Sequence, residues 1–223
     1  MKVYFDKAFT KIAVLGSGTM GGQIAAHFAN LGFDTLMFDT SEEALSKSLA
    51  MMKKLKPTPF ASPSVSASIK TATYDNLDAL SSCDFIIESI VENLDIKKQL
   101  FKKISPHVND NAVLVTNTSG LSIQQIAETS PESLRSRIFG VHFFNPPRYM
   151  PLVELIRTSY SDESLLNKAE GFITSALGKE VVYAKDSPAF VANRIGVFSF
   201  MAVLKHAENF NLPADTVDAL TGK

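Results

Sequence analysis

Cysteine is nearly absent from this 223-residue sequence, and neither sign of charge is in excess. The single cysteine, Cys83, excludes an internal disulfide and argues against a thiolate metal cluster, so we expect a reducing, cytoplasmic setting and no metal site. Cys83 stands beside the apolar run Phe85–Ile87, which favours a packed residue over a nucleophile. With 22 Lys and Arg against 23 Asp and Glu, the net charge of −1 gives no reason to expect nucleic acid or an anionic membrane as partner.

Long hydrophobic runs are also lacking. No apolar stretch reaches the length of a membrane span, and the N-terminal segment Met1–Asp6 has no apolar core of the kind that marks a secretory signal. What the chain does contain is 45% hydrophobic residues, including 16 phenylalanines, which predicts a globular protein with a substantial core. The length allows one large domain, or one domain and part of a second.

A glycine loop follows the first apolar run of the chain. Ile12–Leu15 leads into Gly16-Ser17-Gly18-Thr19-Met20-Gly21, and an amphipathic segment follows from Gln23 to Leu31. In such a G-x-G-x-x-G pattern the first glycine makes a tight turn, the second lets the backbone approach a pyrophosphate, and the third allows close packing of the helix. The helix start offers unpaired N–H groups to the phosphates. Because glycine loops also close ordinary turns, the motif alone is a weak signal.

An acidic residue after the second apolar run strengthens the dinucleotide interpretation. Thr35–Phe38 ends on Asp39, about 20 positions past the glycines, where an acceptor for the adenosine ribose hydroxyls is needed. The same carboxylate would repel a 2′-phosphate. The sequence therefore predicts binding of NAD in preference to NADP.

Strand-like and helical segments alternate along most of the chain. The alternation predicts an α/β fold, a Rossmann-type doubly wound and mostly parallel sheet with its ligand at the carboxyl ends of the strands. The only biased segment is a connector from Lys56 to Ser68 that three prolines interrupt. A long helix is expected from Pro188, a favourable first helical residue, to about Phe210. Because this helix is apolar nearly all round, we expect it to bury itself in a helical bundle or an oligomer interface.

Four histidines compete for the role of acid or base, and only His142 directly follows a strand-like run. Glu154 lies close behind, within the apolar run Leu152–Leu155, and a buried glutamate there would need a partner. If Glu154 accepts one ring N–H of His142, it sets the tautomer and leaves the other nitrogen free as a base. Two alternatives stay open: His142 as a satisfied core histidine, and Glu154 on an edge strand facing water.

Several stretches together resemble the NAD-binding domain of the L-3-hydroxyacyl-CoA dehydrogenase family. They occur in the order found in that family and cover nearly the whole chain, and the His-Phe-Phe-Asn-Pro run is the most specific of them. The stretches are the glycine loop from Gly16, Ile90–Asn93, Asn117–Ser119, His142–Pro146, Leu152–Glu154 and Phe190–Arg194. The resemblance implies an NAD-binding Rossmann domain over residues 1–185 and the start of a C-terminal helical domain, for dimerisation and substrate binding, over residues 186–223.

The resemblance also implies an activity: NAD-dependent oxidation of L-3-hydroxyacyl-CoA to 3-ketoacyl-CoA in fatty-acid β-oxidation. His142 would be the general base, oriented by Glu154, and imidazole suits the task because its pKa lies near neutrality. Ser119 and Asn193 would bind the reacting oxygen of the substrate or position the histidine, and Asn145 would support the same site. The partners implied are an acyl-CoA substrate and, with a complete helical domain, a second copy of the chain; fusion to other β-oxidation activities is left open.

Cofactor contacts are expected along the carboxyl ends of the strands, from the glycine loop to the nicotinamide ribose. The residues are Gly16, Gly18, Thr19, Met20, Gly21, Asp39, Glu92, Lys97 and Asn117. Other interpretations exist for some of them. Glu92 and Lys97 suit a solvated helix start, Ser119 suits a turn before Gly120, and Asn193 suits a cap at a helix kink.

The chain departs from the family pattern at the connector between the second and third strands. It is short and broken by prolines, whereas many members carry a longer helical hairpin there that helps to hold CoA, so no CoA-binding residue is assigned. The family also continues into further helices, which suggests that this chain is a fragment of a longer, even multifunctional, protein. Two rival functions remain: a dehydrogenase of a 3-hydroxy acid without CoA, and a non-catalytic NAD-binding or structural relative.

Overall fold

A computed structural model of the chain describes residues 8–222. The segment Met1–Asp6, which is expected to lack a secretory signal, lies outside the described residues. Strands and helices alternate as predicted. In chain order they are β1 (Lys11–Leu15), α1 (Thr19–Asn30), β2 (Asp34–Asp39), α2 (Glu42–Met52), β3 (Lys70–Thr73), β4 (Phe85–Glu88), α3 (Leu94–Ile104), β5 (Val113–Thr116), α4 (Ile123–Thr129), α5 (Glu132–Arg135), β6 (Ile138–Phe143), β7 (Leu152–Ile156), α6 (Glu163–Ser175), β8 (Glu180–Ala184), α7 (Ala192–Asn209) and α8 (Ala214–Thr221).

All eight strands form one sheet in the order β3-β2-β1-β4-β5-β6-β7-β8. Strands β1 to β6 are parallel, β7 is antiparallel to β6, and β8 is parallel to β7. The mostly parallel, doubly wound sheet predicted from the sequence is thus confirmed. The strand order changes direction between β1 and β4, and in such sheets the crevice outside the carboxyl ends of these two strands is where ligands bind.

Both faces of the sheet are covered by apolar residues, which is why its central strands read as continuous apolar runs. Along β1, Ile12 and Val14 belong to one buried cluster, and Ala13 and Leu15 belong to the other. A group of phenylalanines around Phe172 fills the first cluster, and residues of α3 and α4 pack in the second. The two layers hold the strand ends in place, so the cleft above them has a rigid floor.

Local sequence signals account for where several of the helices begin and end. Ser41 and Ser122 cap α2 and α4 through their hydroxyl oxygens, which accept from the backbone N–H groups of Ala44 and Gln125. Helix α3 ends at Ile104 and continues as a short 3-10 turn, because Pro106 cannot donate the next helical hydrogen bond.

The start of α7 differs from the prediction. The helix begins at Ala192 and not at Pro188, because Ala189 and Phe190 have positive φ angles of 61° and 47°. This conformation raises the free energy of a non-glycine residue, so two such residues in a row require stabilising contacts with their surroundings. The apolar side chains of α7 are largely exposed within residues 8–222, with Phe198 at 73%. No helix in that range is both long and apolar enough to cross a membrane.

Candidate active site

The glycine loop between β1 and α1 has the geometry that the motif predicts. Gly16 adopts φ +103°, and a Cβ there would lie 2.5 Å from the carbonyl oxygen of Ser89. A Cβ on Gly21 would lie 2.0 Å from the carbonyl oxygen of Gly16, so α1 can start this close to the turn only without a side chain. At Gly18 no atom of the described residues lies within 4 Å of an added Cβ, so the loop is open on that side. Helix α1 starts at Thr19, with its first N–H groups at this opening.

Asp39, at the end of β2, is tied to the glycine loop. One oxygen of its carboxylate accepts hydrogen bonds from the Ser17 N–H at 2.7 Å and the Ser17 hydroxyl at 2.6 Å, and the other accepts from the Thr40 N–H at 2.7 Å. Burial alone would raise the pKa of Asp39, but the hydrogen bonds from Ser17 and Thr40 outweigh it and lower the pKa below its usual value. Asp39 is therefore a fixed anion beside the loop.

A cleft of about 700 Å³ runs across the carboxyl ends of the strands, past the glycine loop. Asp39 and Tyr74 lie toward one end, and Glu92, Asn117 and Ser119 lie toward the other. Of the residues predicted to contact the cofactor, most line this cleft: Gly16, Gly18, Thr19, Met20, Asp39, Glu92 and Asn117. Gly21 lies behind the loop, and Lys97 lies beneath the cleft and does not line it.

Lys97 is not a solvated residue at a helix start. Its side chain is 1% exposed, and its ammonium contacts the carboxylate of Glu88 at 2.6 Å and that of Glu92 at 3.3 Å. The interpretation of Lys97 as ordinary surface charge is therefore wrong. The helical period of α3 places it on the polar side, but β4 ends on a buried carboxylate, Glu88, that needs a cation.

Glu92 connects this ion pair to the loop after β5. One of its oxygens accepts hydrogen bonds from the Thr118 hydroxyl at 2.6 Å and the Ser119 N–H at 2.7 Å. The backbone oxygen of Ser119 in turn accepts a hydrogen bond from the Asn193 side chain at 3.2 Å. The structure thus brings together Ser119 and Asn193, two residues 74 positions apart that the family resemblance implies for the same site.

A buried His–Glu pair lies on β6 and β7. The antiparallel register places His142 directly opposite Glu154, so their side chains share a face of the sheet. The Nδ1–H of His142 donates to Oε2 of Glu154 at 2.8 Å, and Oε1 of Glu154 accepts from the N–H groups of Val191 and Ala192 at 2.9 Å each. Because β8 covers β7, the interpretation of Glu154 as an edge residue facing water is wrong.

The surroundings of His142 leave Nε2 as its available nitrogen. The ring packs against Phe144 and Phe190, with centroids 4.6 and 5.7 Å away, and no hydrogen bond within residues 8–222 engages Nε2. A satisfied core histidine would use both nitrogens. The positive φ of Phe190 is what brings its ring to His142 while the next two N–H groups reach Glu154. A carboxylate-oriented imidazole with one free nitrogen has the form of a general base.

Two asparagines connect these parts. The side-chain oxygen of Asn117, which lines the cleft, accepts a hydrogen bond from the N–H of Phe143, the residue after His142. Asn145 is exposed, and its side-chain oxygen accepts from Gln23 of α1 at 3.1 Å. Asn117 therefore joins the cofactor cleft to the histidine strand, whereas Asn145 is held by α1 and makes no direct hydrogen bond to the His–Glu pair.

The remaining titratable candidates lie elsewhere. Burial raises the pKa of the Cys83 thiol to about 11, so this cysteine is a packed residue, as expected. His27 is buried in α1, His107 pairs with Asp78, and His206 lies on the exposed surface of α7. Within residues 8–222, no group of three or more His, Cys, Asp or Glu side chains is arranged to hold a metal.

Comparison with known proteins identifies the family. A model of the family described as 3-hydroxyacyl-CoA dehydrogenase, NAD binding domain, matches residues 11–187. The chain belongs to this family. A probable 3-hydroxyacyl-CoA dehydrogenase of Bacillus subtilis is 36% identical over 97% of this chain, and one of Deinococcus radiodurans is 36% identical over 95%. A putative fatty acid oxidation complex trifunctional enzyme of Rickettsia felis is 35% identical over 94%.

Solved structures agree with the 3-hydroxyacyl-CoA dehydrogenase fold. M. tuberculosis FadB2 matches with a TM-score of 0.83 at 27% identity, over 93% of this chain and 75% of that chain. The 3-hydroxybutyryl-CoA dehydrogenase of Escherichia coli matches with a TM-score of 0.80 at 28% identity, over 90% of this chain and 43% of that one. The present chain spans 30% of the Bacillus and Rickettsia relatives and 64% of the Deinococcus relative.

NAD is the cofactor of this family, and the residues present fit it. The loop is open at Gly18 where a side chain would obstruct a pyrophosphate, and Asp39 is ionised beside it where a ribose needs an acceptor. Sequence analysis did not assign two residues of the site. Ser17 donates a hydrogen bond to Asp39, and Glu88 forms an ion pair with Lys97. The only signal for either residue is that it is polar among buried neighbours, and hydrophobic periodicity does not report this.

Proposed function

We propose that the chain carries the dehydrogenase site of an NAD-dependent L-3-hydroxyacyl-CoA dehydrogenase acting in fatty-acid β-oxidation. His142 is the general base, Glu154 orients it, and Ser119 and Asn193 bind or position the reacting oxygen. The observation that carries the proposal is the buried hydrogen bond of 2.8 Å between His142 Nδ1 and Glu154, beside a cleft that suits a dinucleotide. The names of the relatives support the same reaction class.

The protein's part in the reaction is the movement of one proton. Glu154 accepts the Nδ1–H, so the lone pair is on Nε2, and Nε2 takes the proton of the substrate 3-hydroxyl. The imidazolium that forms is stabilised by the same carboxylate, which also accepts hydrogen bonds from two backbone N–H groups. NAD, when bound, accepts the hydride from C3 of the substrate. In the reductive direction His142 returns the proton to the ketone oxygen.

The loop at Ser119 and the start of α7 orient the substrate oxygen toward His142. Asn193 donates to the Ser119 backbone oxygen, so the two polar side chains predicted to hold the substrate oxygen come from the two parts of the chain that we propose as domains, residues 1–185 and 186–223. A substrate oxygen held between them approaches one fixed nitrogen, which is how orientation lowers a barrier. We include in the proposal an acyl-CoA substrate, a homodimer formed through the helical domain, and a cytoplasmic location.

The test compares His142→Gln with His206→Gln, a matched control on the exposed surface of α7. The His142 variant should lose about 10²- to 10⁴-fold in the rate of NADH oxidation with acetoacetyl-CoA, because a positioned base is removed. Its dissociation constant for NADH, measured by fluorescence, should stay unchanged. Turnover retained in His142→Gln would refute the assignment. Equal rates with acetoacetate and acetoacetyl-CoA would instead favour a dehydrogenase of free 3-hydroxy acids.

A further inference from the structure

A cluster of three buried or half-buried charges lies beneath the Ser119 end of the cleft. Glu88, at the end of β4, is 0% exposed, and Lys97 contacts it at 2.6 Å. Glu92 contacts the same ammonium at 3.3 Å and is 43% exposed toward the cleft that it lines. We name Glu88, Lys97 and Glu92 the acidic cluster.

Glu88 accepts hydrogen bonds on both of its side-chain oxygens. One oxygen accepts hydrogen bonds from the Lys97 ammonium and the Ile90 N–H, at 2.6 and 2.7 Å, and the other accepts from the Thr116 hydroxyl at 2.6 Å. All three partners donate, so the Glu88 side chain acts only as a hydrogen-bond acceptor, as a carboxylate does. Glu92 likewise accepts from Thr118 and Ser119. Two carboxylates and one ammonium give the acidic cluster a net charge of −1.

The cleft has a direction that places this charge near one end of the cofactor. Asp39 and Ser17 lie where the adenosine ribose belongs, and the glycine loop lies where the pyrophosphate belongs. The nicotinamide end is then directed at Glu92, Asn117 and Ser119. This placement rests on the function proposed above.

We propose that the acidic cluster strengthens the binding of the oxidised cofactor relative to that of the reduced cofactor. The two redox forms differ at the nicotinamide ring, which is a cation in NAD⁺ and neutral in NADH. A net negative charge next to that ring attracts the cation and has no comparable effect on the neutral ring. By linkage, the acidic cluster makes the bound cofactor pair a stronger reductant than the pair would be without that charge, since tighter binding of the oxidised form favours oxidation of bound NADH.

Among the three residues of the acidic cluster, Glu88 is the one whose substitution tests the effect of charge without removing a residue that lines the cleft. It does not line the cleft, so it acts on the cofactor through Lys97, Glu92 and the field of its own charge. The isosteric change Glu88→Gln brings the acidic cluster to zero net charge while its side-chain oxygen still accepts from Lys97. Removing one negative charge from partly buried surroundings near the ring is expected to shift the ratio of the two dissociation constants roughly three- to tenfold.

The experiment measures the dissociation constants of NAD⁺ and NADH separately by calorimetry, without acyl-CoA. In Glu88→Gln the ratio Kd(NAD⁺)/Kd(NADH) should rise roughly three- to tenfold. Glu92→Gln, at the cleft surface, should move the ratio in the same direction and provides the test if Glu88→Gln fails to fold. Thr116→Val is the matched control: it removes the hydroxyl that binds Glu88 and alters no charge, so the ratio should stay as in the unchanged chain.

The outcomes separate this inference from the proposed function. Equal weakening of both cofactors in Glu88→Gln and Glu92→Gln, with the ratio unchanged, overturns the electrostatic role and leaves the dehydrogenase proposal intact. A shift in Thr116→Val as large as in Glu88→Gln also overturns it, because the effect would then follow from loop geometry. If the unchanged chain binds neither NAD⁺ nor NADH, both proposals fail.

Discussion

Replacing Glu154 with glutamine is expected to hold His142 in the wrong tautomer. In the present structure one Glu154 oxygen accepts from Val191 and Ala192, and the other accepts from Nδ1 of His142. An amide has one oxygen and one NH₂ group. If its oxygen stays on the two backbone N–H groups, the NH₂ group faces Nδ1, which must then accept a hydrogen bond. The ring proton moves to Nε2, and the base loses its lone pair.

The alternative orientation of the amide is much less favourable. Turning the oxygen toward His142 would set the NH₂ group against the N–H groups of Val191 and Ala192, both 2.9 Å from the present oxygen. Two hydrogen bonds would be lost and donors would face donors, at a cost of about 3 kcal/mol or more. That cost leaves on the order of 1% of the molecules with the productive tautomer. We therefore expect kcat to fall about 10²- to 10⁴-fold.

Two measurements check this prediction. Steady-state oxidation of NADH with acetoacetyl-CoA gives kcat, with Glu163→Gln, an exposed position at the start of α6, as control. Nitrogen-15 NMR of the imidazole should show the proton on Nδ1 in the unchanged chain and on Nε2 in Glu154→Gln. Retention of the Nδ1 proton in the variant, or turnover within tenfold of the unchanged chain, would refute the reasoning.

Three further changes test other parts of the structure. Asp39→Asn should weaken NADH binding about tenfold and reduce the preference for NADH over NADPH, because a charge-assisted acceptor is lost. Titration with both cofactors measures the two dissociation constants, and an unchanged ratio between them would contradict the prediction. Burial and the nearby Lys179 lower the pKa of His27 to about 4. As the pH falls, His27 becomes protonated in the unfolded chain before it does so in the folded chain. The contribution of neutral His27 to stability is therefore present above pH 6.5 and is lost as the pH falls toward 4. Between pH 7 and 5 the chain should lose about 2 kcal/mol more unfolding free energy than His27→Leu does, and equal losses in urea titrations would contradict the assignment. Gly120→Ala should destabilise the chain by about 1–3 kcal/mol, since its Cβ would lie 2.7 Å from the backbone nitrogen of Ala189; Gly171→Ala, where nothing lies within 4 Å, is the control in the same thermal melts, and equal melting points would count against the predicted clash.

The sheet and its cofactor loop follow from local patterns, which is why the sequence predicted them. Buried parallel strands such as Phe85–Glu88 are short apolar runs, and the glycines of the loop have backbone positions that other residues cannot take. His142 and Glu154 were also predictable, because a polar residue inside an apolar strand needs a partner. Their actual pairing depends on the antiparallel turn between β6 and β7, and the sequence did not specify that register.

What could not be predicted depends on contacts between distant segments. The start of α7 is four residues later than a proline-based expectation, because Glu154 binds the N–H groups of Val191 and Ala192 and Gly120 lets the backbone of Ala189 approach. Lys97 was expected on the polar side of its helix, and only the proximity of Glu88, nine residues earlier, explains its burial. Secondary-structure propensity describes one segment at a time, so it cannot predict contacts between distant segments that stabilise an otherwise unfavourable local conformation.

The most direct test of the central claim is the absorbance of NADH at its near-ultraviolet band after addition of acetoacetyl-CoA to this chain, beside the same assay with NADPH. The account predicts that NADH is oxidised, that NADPH is oxidised far more slowly, and that His142→Gln lowers the rate of NADH oxidation about 10²- to 10⁴-fold. Oxidation of both cofactors at equal rates would contradict the role of Asp39. Unchanged oxidation of NADH in His142→Gln would contradict the assignment of the base, and with it the claim that the pair formed by His142 and Glu154 performs the proton transfer.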